Sequence, residues 1–121
     1  MLFDTSFCID LAEELQSRQV GPCQALLSVS RHHVRCVGVV TLGEYAVGAS
    51  EAEVRRFFRG FRRLALGERL AVFAGRMQAS LPFALGENDL WIAATALRER
   101  MPLVTRDRAF SRVPGLRVIS Y

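Results

Sequence analysis

Four short apolar runs punctuate this chain, and what lies between them has helical spacing. The runs are Met1-Leu2-Phe3, Val34 to Val40, Leu103-Val104-Thr105 and Leu116-Arg117-Val118-Ile119. Strands this short, each followed by a helical segment rather than a tight turn, pair through parallel crossovers and not as hairpins. The pattern therefore predicts an α/β fold of three layers (α/β/α) around a short, mostly parallel central sheet. Helices are expected over Ser6–Leu15, over Cys23–Val29 after the Gly21-Pro22 break, over 68–80, and from Asn88 to about Arg100. Thr41 reads as the N-cap of a further helix, with Glu44 three residues on at capping-box spacing. From Glu51 to about Leu64, Val54, Phe57, Phe58, Phe61 and Leu64 recur on one side of an amphipathic helix. Leu64-Ala65-Leu66 reads as either its end or a brief strand.

The chain has 121 residues, which is the size of one compact domain, so residues 1–121 are taken as a single unit. Half of the residues are hydrophobic and 23% are charged, which excludes an intrinsically disordered chain. No apolar run is long enough to span a bilayer. The first ten residues carry Asp4 and Asp10 and no basic residue, unlike a signal peptide, so a cytoplasmic protein is expected. Cys8, Cys23 and Cys36 are odd in number, widely spaced and without a CxxC partner, which supports neither a zinc site nor a disulfide framework. His32 and His33 sit in a polar stretch and read as a solvated loop.

Only four aspartates occur: Asp4, Asp10, Asp89 and Asp107. Three of them fall where a parallel sheet places its ligands, outside the carboxyl ends of the strands. Asp4 ends the first strand, Asp107 follows the third, and Asp89 opens the helix that precedes it. Glu44 lies just past the second strand. Singly, Glu44 is explained by a capping box and Asp89 by the helix dipole. Gathered on one rim, four carboxylates repel one another unless a cation sits among them. An all-oxygen set without imidazole or thiolate selects Mg²⁺ or Mn²⁺. Hydrolysis of a phosphodiester by metal-activated water needs no nucleophilic side chain, in keeping with a chain that offers no Ser/His or Cys/His pair.

Leu2-Phe3-Asp4-Thr5-Ser6, Val40-Thr41-Leu42-Gly43-Glu44, the block from Gly86 through Asn88-Asp89-Leu90-Trp91 to Ala96, and Leu103-Val104-Thr105-Arg106-Asp107 resemble the four motifs of PIN-domain ribonucleases. They are most similar to the VapC-type toxins of bacterial type II toxin–antitoxin pairs, and the closing Phe110…Val113-Pro114-Gly115-Leu116 is similar too. The resemblance runs in order along nearly the whole chain. It implies catalytic, metal-binding acids at Asp4, Glu44, Asp89 and Asp107, and supporting hydroxyls at Ser6 and Thr105. It also implies RNA (tRNA, rRNA or mRNA) as substrate, Mg²⁺ or Mn²⁺ as cofactor, a homodimer, and a cognate antitoxin whose tail enters the active-site groove. The stretch Leu64 to Gly67 departs from the family, where a clearer strand is usual. Glu87 reads as a supporting or solvated acid.

Two other functions are weighed against this one. A hydrolase of small phosphoesters with Asp4 as nucleophile would want a second aspartate two residues on, where this chain has Ser6. A non-catalytic PIN module acting through protein contacts would not need the intact acid set. All 16 basic residues are arginines. Arg55, Arg56, Arg59, Arg62 and Arg63 fall opposite the apolar stripe of the Glu51–Leu64 segment. Of these, Arg55, Arg59 and Arg62 are the candidate RNA or partner contacts, against a plain solvated face. The eight phenylalanines stand mostly at core spacing, not as base-stacking platforms.

Overall fold

The computed structural model describes residues 1–121. Five strands form the central sheet: β1 (Leu2–Phe3), β2 (Cys36–Gly38), β3 (Arg62–Leu64), β4 (Leu103–Val104) and β5 (Val118–Ile119). Their order is β3-β2-β1-β4-β5, and every pairing is parallel. Six helices cross between them: α1 (Thr5–Ser17), α2 (Pro22–Val29), α3 (Val39–Ala46), α4 (Glu51–Phe57), α5 (Glu68–Ser80) and α6 (Glu87–Arg98). The expected three-layer α/β/α fold is the one observed, with a sheet that is wholly parallel.

Strand alternation explains how two or three residues per strand suffice. Phe3, Val37 and Val104 turn to one face, into a cluster with Phe7, Leu11, Phe58 and Phe61. Leu2, Cys36 and Leu103 turn to the other, against Ile92, Ala93 and Ala96 of α6. The small side chains of α6 let it lie close to the sheet, and its residues Ile92 to Ala96 are all buried. Helix α2 is held at its start by a distant carboxylate: Glu14 accepts from the backbone N–H of Gly21, Cys23 and Gln24 at 3.2, 2.9 and 3.0 Å. All three cysteines are buried and free, and His32 and His33 lie exposed in a turn.

Two local expectations are corrected. Helix α3 begins at Val39 with Gly38 as its cap, so Thr41 is not an N-cap but a fully buried side chain inside the helix. The capping box belongs instead to Ser50 and Glu53 at the start of α4. Helix α4 ends at Phe57 and passes through a 3₁₀ turn (Phe58–Gly60) into β3, so no single helix runs from Glu51 to Leu64. Arg62 is therefore a strand residue in register with Cys36. Two consecutive arginines disguised the strand: β3 is a sheet edge and carries little of the apolar signal that betrays a central strand.

Candidate metal-dependent active site

Strand β1 ends at Asp4, whose side chain caps α1 by accepting from Phe7 N–H at 3.0 Å. The same oxygen, Oδ1, accepts from Ser6 Oγ at 2.7 Å, and Oδ2 accepts from Thr105 Oγ1. A carboxylate offers about four lone-pair positions, so three donors leave Asp4 one, on Oδ2. The side chain is only 5% exposed. Burial pushes its carboxyl above the ordinary range against those three donors, and Asp107 adds repulsion. Thr105 Oγ1 in turn accepts from the Asp107 N–H at 3.0 Å, which ties the end of β4 to the end of β1. Asp107 caps the 3₁₀ turn Arg108–Arg112 through Ala109 N–H at 2.9 Å and is otherwise exposed.

Glu44 projects from α3. Its Oε1 accepts from Thr5 Oγ1 at 2.6 Å and its Oε2 from Asn88 Nδ2 at 3.1 Å. Thr5 is a neighbour of Asp4 and Asn88 of Asp89, so these two bonds bring three motifs to one rim. Asp89 lies in the first turn of α6, half-buried, and feels Asp107, Glu44 and Asp4. Burial raises its proton affinity first and these three carboxylates raise it further; no hydrogen bond offsets either effect. The four acids singled out in the sequence, and both hydroxyls, thus share one rim. Glu87 is exposed in the first turn of α6.

The donor set fits a hard divalent cation: carboxylates and hydroxyls, no thiolate, no imidazole. The carboxylates do not stand closed into a cage, since no three acids, histidines or cysteines are placed to hold one ion together. The hydrogen bonds give the reason. Thr5 and Asn88 hold Glu44, and Ala109 holds Asp107, each in its own local structure. Mg²⁺ suits such an open set, because it keeps several waters and takes few protein ligands.

Beside this rim opens a concavity of about 1150 Å³, between α1, α2, α3 and α4. Leu15 and Val47, left 53% and 89% exposed, line it with Tyr45 and Phe57, and Glu44 stands in its wall. A second, shallower hollow of about 510 Å³ is lined by Arg55, Arg56, Arg59 and Arg63 with Ala52. Arg62 does not line it; alternation along β3 sends neighbouring side chains to opposite faces. None of these arginines is in an ion pair, the single one in the chain being Arg106–Asp10.

Sequence reading missed that pair and its surroundings. Arg106 Nη1 lies 2.9 Å from Asp10 Oδ2 and donates to Oδ1 at 3.0 Å. Tyr121 donates its hydroxyl hydrogen to Asp10 Oδ2 at 2.7 Å and lies 3.3 Å from Ser6 Oγ. The Tyr121 ring meets Phe7 edge-on, centroids 5.0 Å apart. Asp10 is the one aspartate away from the strand ends, and only the fold brings it to residues 96 and 111 positions away. Thr5 and Asn88 were missed too, though both sit inside the motifs.

The PIN-domain family profile matches residues 1–116. Among curated protein sequences none matches the chain. Several solved structures share its fold. VapBC2 from Rickettsia felis, bound to a DNA fragment from its promoter, superposes with a TM-score of 0.80 at 20% identity, over 98% of this chain and 96% of that one. A toxin–antitoxin complex from Klebsiella pneumoniae gives 0.74 at 26% identity, over 98% and 94%. DNA-bound VapBC from Salmonella typhimurium gives 0.79 at 24% identity, over 98% and 96%. With the profile spanning four motifs and the fold shared end to end, this chain belongs to the PIN-domain family.

Proposed function

We propose that this protein is a Mg²⁺- or Mn²⁺-dependent endoribonuclease and the toxin of a toxin–antitoxin pair. The observation that carries the reading is Asp89: a half-buried carboxylate with a raised proton affinity, facing three other acids and without a hydrogen-bond donor of its own. Such a group costs stability in the empty protein, and binding a cation offsets that cost. In this reading Asp4, Asp89 and Asp107 hold the metal, and Glu44 binds a metal or orients the attacking water. Ser6 and Thr105 hold the Asp4 carboxylate by one bond to each oxygen, leaving a position on Oδ2 for the metal. Bound there, a divalent cation would polarise the scissile phosphate and lower the pKa of a water. A carboxylate of the rim directs that water and takes up its proton.

Arg55 and Arg59, with Arg56 and Arg63, serve as contacts for RNA phosphates, supported by their lack of acidic partners. Arg62 is a weaker contact, being outside that hollow. The groove beside Glu44 is of a size and apolarity to take a partner segment, and we assign it to the antitoxin; the fold is shared with a protein solved in a toxin–antitoxin complex. The protein would act as a homodimer in the cytoplasm. No helix is long and apolar enough to cross a membrane.

Incubation of the purified protein with RNA and with a small phosphoester, each with Mn²⁺ or EDTA, tests the assignment. Cleavage of RNA alone, abolished by EDTA and by Asp89→Asn, is the expected result. Phosphoester turnover without RNA cleavage would make it a phosphohydrolase. No turnover of either would leave a protein-binding module. A small neighbouring reading frame encoding a DNA-binding protein would identify the antitoxin.

A further inference from the structure

Arg106 is the residue that neither the acid site nor the arginine hollow accounts for. It stands between Thr105, which bonds Asp4, and Asp107, in the loop at the end of β4. Its side chain is 61% exposed, yet it is the one arginine of the chain held in an ion pair. Asp10 engages it through a single nitrogen, Nη1. A guanidinium has five donors in a fixed fork, so Nη2 and Nε remain free. Asp10, 18% exposed, is itself anchored by Tyr121, whose ring is fixed on Phe7. Ordering a long arginine side chain costs rotamer entropy, and a solvent-facing ion pair returns little of it. Stability alone is a poor account of a cation held this way beside an acidic rim.

The rim itself repels a polyanion. Four carboxylates face any phosphate that approaches, and the arginines that share a hollow, Arg55, Arg56, Arg59 and Arg63, lie toward the β3 edge, at the other side of the sheet order from β4. Asp10 lies six residues along α1 from Asp4, about 9 Å of helix rise. A cation pinned to Asp10 stands to one side of Asp4 along α1, a spacing that suits a flanking phosphate of the same strand.

We propose that Arg106 is a substrate-binding residue that grips an RNA phosphate next to the scissile one, with Asp10 and Tyr121 as positioning residues that hold its guanidinium outward. This rests on the ribonuclease reading above, but the test separates the two. The probe is a fluorescein-labelled, random-sequence, single-stranded 20-nucleotide RNA, bound to protein carrying Asp89→Asn so that it is not cut. Anisotropy titrations at several salt concentrations compare that protein with the same protein bearing Arg106→Gln. Loss of one phosphate contact should weaken binding several-fold at low salt. It should also make the slope of log K against log salt shallower by about 0.7, the single-strand value per contact. Arg106→Lys should keep the slope and lose part of the affinity, since a point charge replaces the fork.

In the otherwise wild-type protein, Arg106→Gln should raise KM for RNA and leave kcat and the Mn²⁺ affinity within about twofold. An unchanged salt slope overturns the proposal. So does a loss confined to Mn²⁺ affinity or kcat, which would make Arg106 a strut for Asp107. Should the glutamine variant melt early, Arg106→Met preserves the aliphatic stem and gives the same readings. A wild-type protein that binds the RNA but never cuts it would refute the ribonuclease reading, while the salt slope would still decide the role of Arg106.

Discussion

Thr105 gives its hydroxyl hydrogen to the Asp4 carboxylate across 101 positions of sequence, and both residues are buried. The same oxygen accepts the N–H of Asp107, so one hydroxyl joins two acids of the rim. Thr105→Val keeps the shape and removes both bonds. A buried, charge-assisted bond of this kind is worth about 2 kcal/mol, and the loss should appear as a lower urea midpoint at neutral pH. The Asp4 carboxyl should then hold its proton more tightly still, since Thr105 is the foremost donor opposing burial.

Asp89 sets the pH dependence of the metal-free protein. Its folded carboxyl is raised above the ordinary 3.8, by burial first and then by Asp107, Glu44 and Asp4. Between 3.8 and the raised value the folded state therefore binds more protons than the unfolded one, and stability falls as pH rises through that window. Asp89→Asn removes this slope. At neutral pH the metal-free variant should be more stable than wild type by up to about 1 kcal/mol, screening of a half-exposed group included. The difference should vanish below the ordinary value. Mn²⁺ should raise the melting temperature of the wild type more than that of the variant, and RNA cleavage should fall by orders of magnitude. A variant less stable than wild type at pH 7 would return Asp89 to a plain helix-start role.

Glu14 carries the opposite sign. Burial disfavours its ionised form, but the donors of Cys23 and Gln24 outweigh it and bring the carboxyl below its ordinary 4.5. Its contribution is complete above that value and is lost as pH falls through the lower, folded one. Glu14→Ala should cost about 1 kcal/mol at neutral pH, as for loss of a helix cap. The cost should shrink in acid, which paired melts at pH 7 and pH 3 would measure.

The groove gives a separable phenotype. Leu15 is on α1, half out of the core, and lines the concavity. Leu15→Glu should change stability by about 0.5 kcal/mol or less. RNA cleavage should persist, while co-purification with the antitoxin fails. Loss of both activities together would mean that the groove and the acid rim are one surface.

The acids were legible because strand ends and helix starts are where a parallel sheet exposes its carboxyl edge, and Asp4, Asp89 and Asp107 each sit beside a recognisable apolar run. Thr41 misled because its spacing to Glu44 copies a capping box, while Val39 and Val40, β-branched and strand-like, in fact open a helix. Asp10, Arg106 and Tyr121 left no local trace. Their meeting depends on how α1 lies against the ends of β4 and β5, which no window of sequence encodes. The apolar residues of α1 split likewise: Phe7, Cys8 and Leu11 enter the core, whereas Leu15, with the same hydropathy, is left for the groove.

Strand β3 has a bearing on how the protein survives at high concentration. It is the outermost strand beside β2, and an outermost strand displays unpaired amide and carbonyl groups on which another chain can build. Here that border is three residues long, and two of them are Arg62 and Arg63. A second copy trying to extend the sheet would bring its own arginines alongside these, with no acid in the strand to receive them. The charge that hid β3 from the sequence pattern thus opposes growth of the sheet at this border. Making both positions Thr, a good strand former without charge, should leave the fold in place and turn a monodisperse solution into one that slowly forms fibres.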